Sequence, residues 1–342
     1  MTNPAFAQTI EDVRGGRSLT AERMGEWVDA MLTGSLPDDS IADLLKALAT
    51  KGETVDELVG AASSLRRHMR RIPFDGPMLL DTCGTGGSHT GTFNISTAVA
   101  IVTAACGVPV AKHGNRRITS NTGSADVLEV LGVTISDEPA AVADTLAQHG
   151  LCFCYAPTCH PAMRYVAEVR RKLKIKTLFN LLGPLCNPAA ATHQILGTSN
   201  HRDLGLIAAA LQQLGTTASV VLHADDGQDE VSLASPTSLI HIRGQEQQRQ
   251  TITHDDFDLP PCQIADLAAE NPHESAEIIR GVMSGNSGPA RNTVVAGTAV
   301  ALCVAGRYDN YRAAATKATQ AIDSGEAQAK LNALKNQTSP KK

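Results

Sequence analysis

Hydrophobic side chains recur at helical spacing through the first part of the chain. One set follows the i, i+3, i+4, i+7, i+8 pattern of a single helix face: Met24, Trp27, Val28, Met31 and Leu32. A second set, Ile41, Leu44, Leu45 and Leu48, repeats the pattern before a stop at Gly52. Thr54 and Glu57 form a capping-box pattern, which predicts a third helix. Because such short helices bury little alone, they need a further packing surface from this chain or from a partner subunit.

From Met78 onwards, short apolar runs alternate with segments of helical pattern. The runs predict strands at 78–80, 108–111, 151–156, 194–197 and 219–222. Helices are predicted at 96–106, 125–131 and about 204–214, and again from Glu274 to about Ala327. Strands that alternate with helices predict an α/β fold with a mainly parallel sheet covered by helices.

Composition narrows the classes of function. The chain has 342 residues, a formal net charge of -5 and only 3% aromatic residues. A nucleic-acid-binding protein usually carries a basic surface, and a membrane span needs roughly 18 consecutive apolar residues. Neither feature is present, and the N-terminus lacks the pattern of a secretory signal. We therefore expect a cytoplasmic protein that binds neither nucleic acid nor a membrane.

Eight cysteines raise the question of a metal site. Cys152, Cys154 and Cys159 lie close together beside His160, but no second cysteine pair at zinc-like spacing completes four ligands. Reduced, buried thiols are the better interpretation.

Two segments have the composition of phosphate-binding loops. Gly84, Thr85, Gly86 and Gly87 follow a predicted strand and precede a helix that begins near Asn94 and Ser96. Glycines let backbone N–H groups approach a phosphate, and a helix N-terminus favours an anion. A glycine-rich tight turn and a simple helix cap would explain the same residues. The second segment, 119–124, places Ser, Thr and Gly before a helix.

Charged residues follow other predicted strands. Lys112, His113 and Asn115 come where a strand should end, the edge at which α/β proteins bind ligands, and Arg116 and Arg117 add positive charge. Asp229 and Glu230 have the composition of a magnesium site, although a solvated turn is the better explanation of an isolated pair. Residues alone therefore predict a binder of a highly phosphorylated small molecule and do not identify a reaction.

Six segments, taken in their order along the chain, resemble the anthranilate phosphoribosyltransferase family. They are 81–87 (DTCGTGG), 92–97 (TFNIST), 112–116 (KHGNR), 123–126 (GSAD), 179–188 (FNLLGPLCNP) and 229–230 (DE). The resemblance covers nearly the whole chain. It implies a small all-helical domain (1–75, with a returning segment near 165–190) and a large α/β domain (76–164 and 191–330). It further implies a homodimer through the small domain, and we expect a disordered tail at 331–342.

The resemblance also implies the ligands and their sites. The expected reaction transfers the 5-phosphoribosyl group of phosphoribosyl pyrophosphate (PRPP) to anthranilate in tryptophan biosynthesis, with two Mg²⁺ ions. The residues implied for PRPP are Gly84, Thr85, Gly86, Gly87, Thr92, Asn94, Ser96, Thr97, Lys112, Asn115 and Ser124. Those implied for anthranilate are Gly84, His113, Asn115, His160, Arg170 and Pro184, with Arg170 pairing with the carboxylate. Those implied for magnesium are Ser96, Asp229 and Glu230.

Two positions depart from the family pattern. Ser88, followed by His89, stands where the family usually has Asp, which predicts weaker binding of PRPP or metal. Residues 295–297 (VAG) stand where the family often has Asn.

Two other functions fit parts of the pattern. A pyrimidine-nucleoside phosphorylase would transfer a pentosyl group to phosphate without the Asp229–Glu230 pair. A non-catalytic nucleic-acid-binding paralogue would carry a net basic surface and eroded loops.

Overall fold

The computed structural model describes residues 4–88, 90–116 and 122–335. The helices are α1 (Pro4–Arg14), α2 (Ala21–Leu32), α3 (Asp38–Lys51), α4 (Val55–Arg67), α5 (Ile95–Ala105), α6 (Ser124–Val130), α7 (Pro139–His149), α8 (Ala156–Cys159), α9 (Arg164–Leu173), α10 (Leu178–Leu182), α11 (Asp203–Gln213), α12 (Pro272–Met283), α13 (Pro289–Val304), α14 (Tyr311–Asp323) and α15 (Glu326–Lys335). The strands are β1 (Leu80–Gly84), β2 (Val110–Gly114), β3 (Leu151–Tyr155), β4 (His193–Gly197), β5 (Ala218–Ala224), β6 (Thr237–Arg243) and β7 (Glu246–Ile252). Predictions for His89, Arg117, residues 119–121 and residues 336–342 lie outside the described residues.

One seven-stranded sheet has the order β3-β2-β1-β4-β5-β6-β7. The first five strands in this order pair in parallel, and β6 and β7 add two antiparallel pairings. The predicted α/β fold with a mainly parallel sheet is therefore confirmed. The pattern missed β6 and β7, since β7 is an edge strand whose sequence, EQQRQTI, is almost entirely polar.

Strands β1 and β2 extend further than their apolar runs predicted. Asp81 in β1, and Lys112 and His113 in β2, belong to the strands and are almost fully buried. The prediction that Lys112 and His113 follow a strand is wrong by a few residues. Polar side chains are stable inside a sheet when neighbouring groups satisfy their hydrogen bonds, which a hydrophobic pattern does not reveal.

The N-terminal helices pack as predicted. Thr54 and Glu57 form the expected capping box at the start of α4, and Gly52 ends α3 with a φ of 88°. Helices α2 and α4 approach so closely that a Cβ on Gly60 would lie 2.1 Å from the carbonyl oxygen of Ala21. Val166 and Val169 of α9 and Phe179 of α10 join the same buried cluster. The returning segment therefore supplies part of the packing surface that the short helices need.

Helix α5 is buried between the seven-stranded sheet and α13. Residues 295–297, which differ from the family pattern, lie inside α13. A Cβ on Gly297 would lie 2.7 Å from Cγ2 of Val99 in α5. Glycine there permits this close helix packing.

The C-terminal helix α15 corrects one prediction. It continues to Lys335 and buries Leu331 and Leu334, so the expected disorder from residue 331 is wrong for 331–335. Among the described residues, none of the helices has the length and apolar character to cross a membrane.

Candidate functional site

A cleft of about 340 Å³ opens where the carboxyl ends of β1 and β2 face the loop after β5. This is the edge at which open α/β sheets bind ligands. Its walls include most of the residues predicted for PRPP and magnesium: Gly84, Thr85, Gly86, Gly87, Thr92, Asn94, Ser96, Lys112, Asn115, Ser124, Asp229 and Glu230. His113 also lines it, whereas Thr97 is buried behind it and its hydroxyl bonds the Asn94 side chain.

The glycine-rich loop after β1 is shaped by backbone geometry. Gly86 and Gly87 have φ values of 70° and 80°, which non-glycine residues rarely adopt. Thr85 N–H donates to the Gly197 carbonyl at 2.8 Å, and Gly86 N–H donates to Oδ2 of Asp229 at 3.2 Å. The loop is thus held between β4 and the carboxylate pair.

Asp229 and Glu230 bring two half-buried carboxylates to the cleft. Glu230 Oε1 accepts the Ser96 N–H, in the first turn of α5, at 3.1 Å. Burial, reinforced by the charge of Asp229, raises the pKa of Glu230 to about 8. Burial also raises the pKa of Asp229, although hydrogen bonds from the Ser88 side chain and the Gly86 N–H oppose this effect. Two carboxylates forced together in a low-dielectric site favour the binding of a cation.

Lys112 provides a buried positive charge beside this pair. Its Nζ donates to the Thr82 carbonyl at 2.6 Å and to Ser96 Oγ at 3.0 Å. Burial lowers the pKa of Lys112, and the carboxylates of Asp81 and Glu230 oppose that shift. The ammonium therefore lies on the Ser96 side of the cleft.

The end of β2 lies against the start of α6. Ser124 Oγ donates to the Asn115 carbonyl at 3.2 Å, and the Ala125 N–H donates to the same oxygen at 3.1 Å. A Cβ on Gly114 would lie 2.2 Å from Ser124 Oγ, so a larger residue here would displace the Ser124 side chain. Asn115 and Ser124 are thereby brought together at the cleft, as predicted.

His113, at the wall of the cleft, forms a buried pair with His160, and their Nε2 atoms lie 3.2 Å apart. His113 Nδ1 lies 3.1 Å from the Gly183 carbonyl, and a carbonyl can only accept. A neutral His113 therefore donates through Nδ1 and accepts the Nε2–H of His160. Burial lowers the pKa of His113 to about 4 and that of His160 to about 3. Both rings are neutral near pH 7.

Arg170 and Pro184 lie on the returning segment. The Arg170 guanidinium stacks over the Phe179 ring at 5.4 Å, and burial alone lowers its pKa. Pro184 offers its carbonyl to Nε2 of Gln194 at 2.6 Å. Neither residue lines the cleft of the glycine-rich loop. Pro184 follows Gly183, whose carbonyl faces His113, whereas Arg170 lies on α9 and contacts α10 through Phe179.

Sequence reasoning missed three residues of this region. Asp81 and Gln194 are single buried polar residues inside strands, and their role depends on partners distant in sequence. Lys176 comes from the segment between α9 and α10, and its Nζ would lie 3.5 Å from a Cβ on Gly87. The one signal in the sequence for Asp81 was its position directly after the apolar run 78–80.

The cysteines of the described residues form no disulfide bonds. All eight are free thiols, and burial raises the pKa of Cys159 to about 12. Within residues 4–88, 90–116 and 122–335, no group of three or more His, Cys, Asp or Glu side chains is arranged to hold a metal ion.

Comparisons with known proteins agree with this architecture. Residues 76–328 match the a/b domain of the glycosyl transferase family, and residues 7–69 match its helical bundle domain. The chain is 56% identical to anthranilate phosphoribosyltransferase from Rhodopirellula baltica, over 97% of this chain and 98% of the relative.

Two solved structures show the same fold. The anthranilate phosphoribosyltransferase of Thermus thermophilus aligns with a TM-score of 0.89 at 34% identity, covering 94% of this chain and 97% of the other. The Saccharomyces cerevisiae enzyme in complex with PRPP and Mg aligns with a TM-score of 0.90 at 25% identity, covering 97% of each chain. The chain therefore belongs to the anthranilate phosphoribosyltransferase family.

Proposed function

We propose that this chain transfers the 5-phosphoribosyl group of PRPP to the amino nitrogen of anthranilate, giving N-(5-phosphoribosyl)anthranilate and pyrophosphate in tryptophan biosynthesis. The observation that carries the proposal is the contact of Asp229 with Gly86 and of Glu230 with Ser96. It sets a carboxylate pair directly against a glycine-rich loop and a helix N-terminus. A pyrophosphate bound with a hard cation needs this combination of N–H donors and oxygen ligands. The names of the relatives support the choice of substrates.

The pyrophosphate of PRPP is proposed to bind at the glycine-rich loop and the start of α5. The residues involved are Gly84, Thr85, Gly86, Gly87, Thr92, Asn94, Ser96 and Thr97, with Thr97 acting through Asn94. Lys112 adds positive charge from the Ser96 side. The 5′-phosphate is proposed to lie near Asn115 and Ser124 at the end of β2, within reach of Lys112.

The donor set fits magnesium. Ser96, Asp229 and Glu230 offer only oxygen atoms, which magnesium prefers to nitrogen or sulfur, and the two carboxylates lie at the pyrophosphate side of the cleft. We propose two ions per site, held by these residues together with PRPP. When bound, magnesium neutralises charge on the departing pyrophosphate. A solved relative in complex with PRPP and Mg supports this assignment.

Anthranilate is proposed to bind between the end of β2 and the returning segment. Gly84, His113 and Asn115 would line its ring on the cleft side, with His160 and Pro184 behind them. The Arg170 guanidinium, already ordered over Phe179, would pair with the carboxylate of anthranilate. Because His113 and His160 are both neutral, neither ring would put an imidazolium charge beside the amino group of anthranilate.

The chemistry then depends on placement. Positive charge develops at C1 of the ribose as the bond to pyrophosphate breaks, and the ammonium of Lys112, held at Ser96, stabilises the departing anion. Anthranilate nitrogen is an unprotonated amine near pH 7, so it needs orientation towards C1 more than activation. Holding both substrates in line supplies the main rate advantage.

We also propose the division of the chain into two parts. Residues 1–75 with 165–190 form the small helical domain, and 76–164 with 191–330 form the α/β domain. The matched ranges support the boundary near residue 75, and the packing of Val166 and Phe179 supports the place of 165–190 beside the N-terminal helices. A homodimer through the helical domain is proposed on the resemblance alone. The free thiols support a cytoplasmic location, where cysteines stay reduced.

A fluorescence assay of anthranilate consumption tests the function. Purified protein is mixed with PRPP and magnesium, with single omissions and EDTA as controls. Loss of the anthranilate signal only in the complete mixture is expected. No consumption by protein shown to be folded would overturn the proposal, and thymidine with phosphate would then test the phosphorylase alternative.

A further inference from the structure

Asp81 is a fully buried carboxylate at the point where the sheet opens beneath the cleft. Strands β1 and β2 share one paired position, Leu80 with Val110, whereas β1 and β4 share five. Beyond that single pair, Oδ1 of Asp81 accepts the backbone N–H of His113 at 3.0 Å. A buried carboxylate is costly unless hydrogen-bonded, so this contact fixes both groups.

The second oxygen of Asp81 connects to the returning segment. Gln194, on the neighbouring strand β4, has one amide nitrogen that faces three acceptors, one of them Cys83 Sγ at 3.6 Å. It donates to Asp81 Oδ2 at 3.4 Å and to the Pro184 carbonyl at 2.6 Å. The carboxylate thus links the end of β2 with the backbone of Pro184.

Two further contacts tie the same segment to the sheet. His113 Nδ1 donates to the Gly183 carbonyl, and Asn187 Nδ2 donates to the Ala111 carbonyl at 2.8 Å. Burial raises the pKa of Asp81, and a hydrogen bond from the Asn187 side chain opposes that shift. Residues 183–187 and the end of β2 are therefore one connected unit around Asp81.

The glycine-rich loop has separate supports. Thr85 bonds to Gly197, and Gly86 bonds to Asp229. A change at Asp81 should disturb the His113 side of the cleft more than the pyrophosphate side.

We propose that Asp81 is a positioning residue for the aromatic acceptor, holding His113 against the Gly183–Pro184 backbone with Gln194 as the bridge. This inference rests on the proposed function for the identity of the acceptor. Asp81 does not touch substrate; it acts through His113 and Pro184.

The variant Asp81→Asn isolates this role at nearly constant shape. In this variant the asparagine side chain that replaces Asp81 would keep its oxygen on the His113 N–H and point its NH₂ group at Gln194, and an NH₂ group cannot accept a hydrogen bond. If the Gln194 amide rotated to offer its oxygen instead, that oxygen would face the Pro184 carbonyl, which cannot donate. One link of the bridge must therefore break. Gln194→Met is the second variant, because it removes the donor but leaves the Asp81–His113 contact.

The experiment measures KM for each substrate separately and amide hydrogen exchange across residues 183–187. Gln194→Met should raise KM for anthranilate about tenfold, as expected for losing a hydrogen bond to a charged group, while KM for PRPP changes less than about twofold. Asp81→Asn should raise KM for anthranilate to the same extent, but it also removes a charge that raises the pKa of Lys112, so the comparison of the two KM values is made on Gln194→Met. Exchange in 183–187 should be faster. Glu57→Gln is the matched control, since Glu57 is an equally buried carboxylate, in the helical part, that accepts the Leu19 N–H at 2.9 Å. It should lower stability and leave both KM values unchanged.

Equal rises in both KM values of Gln194→Met, or no change in either, would overturn the positioning role. If the wild-type protein consumes no anthranilate, the proposed function fails on its own. Hydrogen exchange then decides the inference, and unchanged exchange in 183–187 of Asp81→Asn would refute it.

Discussion

Gly197 lies directly beneath Asp229: a Cβ on Gly197 would be 1.7 Å from the Asp229 carbonyl oxygen. The carboxylate pair can reach the glycine-rich loop only because β4 ends in a residue without a side chain. Gly84 makes a similar approach, since its Cβ would be 2.6 Å from Asp229 Oδ2. Two glycines on adjacent strands therefore set the position of the proposed metal ligands.

The first prediction follows from this packing. Gly197→Ala must displace the backbone of Asp229, and a displacement of about 1 Å in an active site costs on the order of 100-fold in rate. We expect kcat/KM to fall by about that factor, with a higher magnesium requirement, in the anthranilate assay. Gly205→Ala is the control, because a Cβ there meets its nearest neighbour at 3.7 Å. Full activity in Gly197→Ala would show that the loop tolerates the shift.

A second prediction concerns Arg170. Removing a guanidinium that pairs with the substrate carboxylate costs about 2 kcal/mol, or on the order of 30-fold in affinity. We expect Arg170→Ala to raise KM for anthranilate by that factor and to leave KM for PRPP nearly unchanged. Arg171→Ala is the matched control, since Arg171 is the next residue of the same helix and its side chain is 80% exposed. Similar kinetics in the two variants would remove Arg170 from the acceptor site.

Ser88 supports a third prediction. Its side chain bonds to Asp229, so Ser88→Asp would place another carboxylate beside the pair. With magnesium present, the added oxygen ligand should tighten the apparent binding of PRPP. Without magnesium, charge repulsion should lower the melting temperature. Titrations of PRPP and melting curves with and without magnesium measure both effects, and unchanged affinity in Ser88→Asp would contradict the expected weakness of the serine site.

The sequence predicted the parts of this molecule that local chemistry determines. The capping box at Thr54 and the glycine-rich loop at Gly86 depend on neighbouring residues, and both have the expected geometry. Asp81 and Gln194 could not be recognised in this way, because their partners lie on other strands and on a distant segment. Arg170 became a candidate only through the family resemblance, since its contact with Phe179 exists only in the folded chain.

The last prediction concerns acid stability. The pKa of His113 falls to about 4 and that of His160 to about 3 in the folded chain, from an ordinary value of 6.5. Below about pH 6.5 the unfolded chain therefore binds protons that the folded chain excludes, so stability is lost as pH falls. Each ring should cost about 1.4 kcal/mol between about pH 7.5 and pH 5.5.

Urea denaturation at the two pH values measures this loss. His160→Gln retains a donor for His113 and removes one of the two titrating rings, so its loss of unfolding free energy should be smaller by about 1.4 kcal/mol than in the wild type. His201→Gln, altered at an exposed ring, supplies the baseline. If His160→Gln loses as much stability as the wild type, burial does not lower the pKa of His160, and the fold does not keep this ring neutral.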